Sequence, residues 1–158
     1  MRCLPVTAAL FQLTWLAAGP ALAEPVPCPD LSSIIQVGTC PSEDELRYTF
    51  KGYCSDNARM YDKATDVCED YERYRVLKNT SLWETRDGRF SGYLSCGQEG
   101  DLSRGKPKRI AVSKQGSVTR VACVYGEGIT LTYRTKAKCT APVDACTNPS
   151  TACGADCE

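Results

Sequence analysis

The chain has 158 residues, 42% hydrophobic and 24% charged, with 19 basic residues against 19 acidic, 11 cysteines and no histidine. This length points to one domain, and the balanced total charge lacks the polyelectrolyte character that would indicate nucleic acid or a membrane surface. Without imidazole the commonest general base and metal ligand are both missing. That excludes His-dependent hydrolases, zinc sites with imidazole ligands and haem held by an axial histidine.

Residues 1–23 read as a secretory signal peptide. Arg2 supplies the positive start, and Leu10, Phe11, Leu13, Trp15, Leu16 and Ala17 lie in the apolar stretch. Gly19-Pro20 then breaks the helix, and Ala21-Leu22-Ala23 forms the small-x-small cleavage site. The apolar run is too short and interrupted to span a bilayer, so no stable membrane insertion is expected. The mature protein is expected to start at Glu24, to be secreted or periplasmic, and to fold as a single domain over 24–158.

Cleavage removes Cys3 and leaves ten cysteines: Cys28, Cys40, Cys54, Cys68, Cys96, Cys123, Cys139, Cys146, Cys153 and Cys157. An even count in an exported chain is a disulfide framework. Metal ligation would call for paired C-x2-C knuckles or histidines, and the closest pair is Cys153-x3-Cys157. Neither a metal nor a cofactor is expected, and the pairing of the cysteines is left open.

Along the mature chain, 24–41 is a Pro- and Cys-rich arm pinned by Cys28 and Cys40. From 42, Ser42 and Glu45 fit a capping box, whereas Leu46, Tyr48 and Phe50 alternate as in a strand; both readings stay open. Val67, Tyr71 and Tyr74 fall at helical spacing, with Thr65 or Asp66 as N-cap. Asn79-Thr80-Ser81 is a glycosylation acceptor at Asn79 if the source is eukaryotic. Asp87-Gly88 predicts a type I′ hairpin between Leu82–Arg86 and Arg89–Leu94. Ile110–Val112, Val118–Tyr125 and Ile129–Arg134 read as further strands, turning at Lys114-Gln115-Gly116 and Gly126-Glu127-Gly128. The tail, 139–158, has too few large apolar residues for a core and must be fixed by its four cysteines. The fold class is therefore mainly β (β-dominated α+β). It is a small disulfide-rich domain with an antiparallel meander of four to five strands and at most one or two short helices.

Catalytic motifs are sparse. Oxidised cysteines are not thiolate nucleophiles, and Ser103-Arg104-Gly105-Lys106 matches S-x-x-K only formally, since Gly105 and Pro107 make it a turn rather than a helix. The acids Glu43, Asp44, Glu45, Asp62, Asp66, Glu69, Asp70 and Glu72 run in clusters typical of a solvated face. A glycosidase needs two acids converging across a cleft.

Charge is unevenly placed. Residues 24–100 carry 14 acids and 9 bases, 101–138 carry 2 acids and 9 bases, and the tail carries acids alone. Arg104, Lys106, Lys108 and Arg109 crowd one loop and are the candidate binding residues, facing an acidic glycan or an acidic extracellular or periplasmic protein. Lysine-decorated strand edges offer a plainer explanation. The expectation is a non-catalytic, disulfide-stapled binding protein. One alternative is a small inhibitor or effector of a secreted enzyme or receptor, presenting Gly97–Lys108 as its loop. The other is a carboxylate-dependent hydrolase.

Overall fold

In the computed structural model of the chain, residues 23–56, 66–97, 102, 105–126, 128–147 and 152–158 are described. The clearest link from sequence to structure is Val118–Gly126 (β6). Thr119, Val121, Cys123 and Tyr125 are buried while Val118 and Arg120 are exposed, the period-2 alternation of a strand with one face on a core. Its hairpin partners are Arg109–Gln115 (β5), reached through Gly116 at φ +60°, and Ile129–Thr135 (β7), reached through Gly126 and Gly128. Positive φ carries no Cβ penalty at glycine, so these turns form without strain.

Upstream, Ile34–Gln36 (β2), Thr80–Thr85 (β3) and Phe90–Ser95 (β4) form a second antiparallel meander. The two meanders join where β4 pairs with β7, giving six strands in the order β2-β3-β4-β7-β6-β5. The strands are antiparallel as expected, but the chain leaves the sheet edge after β4 and returns to place β7, not β5, beside it. The Asp87-Gly88 hairpin exists with a different turn. The Gly88 N–H donates to the Thr85 carbonyl at 2.8 Å, closing the bend over Arg86 and Asp87, so four residues connect the strands instead of the two of a type I′ turn. Asp87 takes the Thr85 hydroxyl at 2.6 Å and the Arg89 N–H at 3.1 Å, which favours this wider loop.

A small sheet covers one face of the large one. Glu24–Pro27 (β1), Gly154–Cys157 (β9) and Cys139–Thr140 (β8) pair in the order β1-β9-β8. The core lies between the sheets, where Val26, Cys139, Ala155 and Cys157 meet Phe90, Leu94, Val121, Cys123 and Leu131. Each fully buried Val or Leu contributes about 1.5–3 kcal/mol. Gly154 permits the close approach, since a Cβ there would sit 2.9 Å from the Val26 carbonyl oxygen.

The helices form a separate cluster. Glu43–Cys54 (α1) begins with a complete capping box: the Ser42 hydroxyl accepts from the Glu45 N–H while the Glu45 carboxylate accepts from the Ser42 N–H at 2.8 Å. The helix reading of Ser42–Glu45 therefore holds over the strand reading. Leu46 and Phe50 are four apart on the packed side, and Tyr48 is 80% exposed. Asp66–Glu69 (α2) and Tyr71–Lys78 (α3) follow. The predicted segment is helical but divided, because Asp70 is extended and caps α3 by accepting from the Glu72 N–H. Asp70, not Asp66, thus caps the longer piece, and Thr65 lies outside the described residues. Among the described residues three α-helices result where at most one or two short helices were expected. Phe50, Tyr53, Tyr71 and Tyr74 pack edge to face between α1 and α3, with centroids 5.2–5.4 Å apart for three of the pairs.

All ten mature cysteines are in disulfides: Cys28–Cys123, Cys40–Cys96, Cys54–Cys68, Cys139–Cys157 and Cys146–Cys153. The arm is pinned at both its cysteines, to β6 and to the end of β4. The helical cluster is closed on itself, and the tail is cross-linked only within itself.

Candidate functional site

The uneven charge of the sequence becomes an uneven pattern of pairing. Around the helices the acids are compensated. Glu43 accepts from Arg47 at 3.0 Å, from Arg75 at 3.1 Å and from the Tyr71 hydroxyl at 2.9 Å. Glu72 faces Arg75, Glu69 faces Arg73, and Glu24 on β1 takes Arg89 at 2.9 Å. In the stretch 105–143 the sequence has eight bases, Lys106, Lys108, Arg109, Lys114, Arg120, Arg134, Lys136 and Lys138, against the single acid Glu127. Among the described residues none of these eight is within ion-pair distance of a carboxylate.

Of the four predicted binding residues, the structure describes three. Arg104 lies outside the described residues. Lys106 and Lys108 line a hollow of about 640 Å³ whose walls include Leu31, Tyr125, Ile129, Cys146 and Thr147. Arg109 begins β5, exposed, one residue past that hollow. Lys106 and Lys108 thus lie at the hollow and Arg109 on the strand beside it. Tyr125, at the hollow, donates its hydroxyl to the Pro29 carbonyl. Burial, and then the charge of Asp30, raise its pKa, which keeps it a neutral donor. Hydrogen bonds from the Ser32 backbone and hydroxyl, with Lys106 nearby, hold Asp30 below the usual carboxylate range. Asp30 thus stays charged close to Lys106.

The other carboxylates with displaced pKa also move down: Glu43 through the Tyr71 hydroxyl and then Arg75, Glu45 through the Ser42 backbone and hydroxyl, and Asp87 through the Thr85 hydroxyl and the Arg89 N–H. These are charged acceptors, the opposite of a general acid kept protonated by burial. Of the long connection Gly97–Lys108, Leu102 is buried in the core and Gly105 packs on Leu31, so its described part is anchored rather than protruding. Asn79 is half-buried at the end of α3, where its N–H donates to the Arg75 carbonyl and its carbonyl accepts from the Cys96 N–H. The signal segment, apart from Ala23, lies outside the described residues, and β1 starts at Glu24. No helix of the described residues is long and apolar enough to cross a membrane.

Sequence reasoning counted Arg120 and Arg134 as basic residues on strands and missed their juxtaposition. They are direct cross-strand partners on β6 and β7, both exposed, and Arg120 reaches the Thr132 hydroxyl at 3.4 Å. The signal was available, because a turn at Gly126–Gly128 sets the register that brings 120 opposite 134. Tyr93 on β4 is 69% exposed.

Comparison with protein-family models, curated proteins and solved structures found no significant match to this chain.

Proposed function

We propose that this chain is an exported, non-catalytic binding protein whose basic half captures an anionic extracellular or periplasmic partner. The observation that carries the reading is the pairing asymmetry. Glu24, Glu43, Glu69 and Glu72 are paired with arginines of their own half, while eight bases over 105–143 have no carboxylate at ion-pair distance among the described residues. Like charges held together on one rigid scaffold repel and lower the cost of taking up an anion. Disulfides covering every mature cysteine, and a first strand starting at the expected cleavage point, support an oxidising compartment outside the cytoplasm. The lowered carboxylates support a non-catalytic role.

The test uses oxidised mature protein, residues 24–158, passed over immobilised heparin and immobilised acidic protein at rising salt. Retention at low ionic strength should fall steeply as the Debye length shortens from about 30 Å at 0.01 M to about 8 Å at 0.15 M. The combined Lys106→Glu, Lys108→Glu and Arg109→Glu variant should elute earlier with unchanged circular dichroism. Absence of retention on either matrix at low salt, or identical elution of the variant, overturns the proposal.

A further inference from the structure

We propose that the uncovered face of the six-stranded sheet, between Arg109 at one end and the Arg120–Arg134 pair at the other, is the docking surface for an anionic polysaccharide. This rests on the anion-binding reading and names both the surface and the ligand class.

The strand registers define the surface. Ala111, Ala122, Thr132, Ser91 and Glu84 are successive cross-strand partners on β5, β6, β7, β4 and β3, and so form one row across one face, its only carboxylate at the β3 end away from the arginines. Two residues along in one direction, the next row is Ser113, Arg120 and Arg134. Two residues along in the other, it is Arg109, Val124 and Thr130. The core residues Val121, Cys123 and Leu131 have the opposite parity and carry the small sheet. The face with the arginines is therefore the one that sheet leaves open.

Three features select the ligand. First, arginines directly opposite one another across a strand pair destabilise a sheet unless an anion lies between them, and no carboxylate of the described residues is paired with either. Second, the arginine rows are four residues apart along the strand, about 13 Å at the usual rise. A chain bearing repeated anionic groups bridges that span, and a lone inorganic anion does not. Third, the floor between them is made of small side chains, Ala111, Ala122 and Ser91 around the buried Thr132, with Ser113 and Thr130 in the flanking rows, and exposed Tyr93 stands on the same face two residues beyond Ser91. Hydroxyls and an exposed aromatic ring suit sugar hydroxyls and pyranose faces. A peptide strand would instead seek the unpaired backbone of an edge, and this face has its backbone already paired within the sheet.

The experiment titrates oxidised mature protein with size-defined oligogalacturonates and heparin oligosaccharides, alongside inorganic sulfate, polyglutamate and an oligodeoxynucleotide of matched charge. Affinity should rise with saccharide length, exceed that for polyglutamate and the oligonucleotide, and resist millimolar sulfate. Arg120→Ser with Arg134→Ser, which removes a repulsive pair, should bind at least tenfold more weakly. Tyr93→Ala should weaken saccharide binding while leaving oligonucleotide binding unchanged, and it serves as the second variant should the arginine double variant fail to fold. If the arginine variant and Tyr93→Ala both bind saccharides like the parent while Lys106→Glu with Lys108→Glu loses them, the surface assignment is overturned and the anion-binding function stands. Equal or tighter binding of polyglutamate or the oligonucleotide overturns the polysaccharide. No binding of any polyanion by the parent overturns both readings.

Discussion

Glu45 shows how much one side chain contributes at a helix start. It accepts from the Ser42 N–H and hydroxyl, and those bonds hold its pKa below the usual value of 4.5. Glu43 and Asp87 are lowered in the same direction by the Tyr71 and Thr85 hydroxyls and neighbouring donors. A carboxyl with a lower pKa folded than unfolded stabilises the fold in full above its unfolded value and loses that contribution as pH falls through the folded one. Urea midpoints should therefore stay level from about pH 8 to about pH 6, since no histidine titrates there. They should then drop as pH falls below the ordinary carboxylate values of 4.5 and 3.8. Glu45→Ala should flatten part of the acid drop, and an unchanged acid limb would count against the capping box as its source. The local signature of α1 was legible at this scale, because a capping box needs only residues three apart. The strand reading of Leu46, Tyr48 and Phe50 failed because two of those residues also share a helical face, and only packing against Tyr71 and Tyr74 shows which spacing is used.

Among elements, the disulfides divide by the length of chain they close. Cys28–Cys123 spans 95 residues and joins the N-terminal arm to β6, whereas Cys146–Cys153 spans 7 within the tail. On the chain-entropy account the first stabilises by about 4–5 kcal/mol and the second by about 2–3. Replacing Cys28 and Cys123 together by Ala should lower the urea midpoint by clearly more than replacing Cys146 and Cys153, with Cys123 also taking packing from the core. Equal losses would place the arm outside the cooperative unit. Strand positions were largely readable here, since alternation and glycine turns are local. The β4–β7 junction was not, because nothing in either strand specifies a neighbour that arrives after two further strands. The hairpin at Asp87 formed a wider turn because that carboxylate bonds Thr85 and Arg89, a competition with the two-residue turn that dipeptide statistics do not contain.

For the whole molecule, the framework closes within itself: an arm stapled to each meander, a helical cluster stapled once, and a tail stapled twice. Protein recovered from the medium or periplasm should have a mass starting at Glu24 and show no alkylatable thiol until reduced. A thiol from Cys3, or any pair accessible without reductant, would refute the exported, fully bridged form. The charge of the candidate loop, Arg104, Lys106, Lys108 and Arg109, was legible in the sequence, but the placement of its described residues was not. Those lysines line one hollow while Arg109 belongs to another face.

Composition and spacing alone determined the expectation of an oxidising compartment, the even set of cysteines available for disulfides, the β character and the places where the chain turns. Each of these follows from covalent chemistry or from interactions over a few residues. Tertiary structure decided which cysteines join, which strands meet at the middle of the sheet and which arginines stand opposite one another. These depend on segments far apart in sequence, and their proximity is set by packing free energy summed over the whole core.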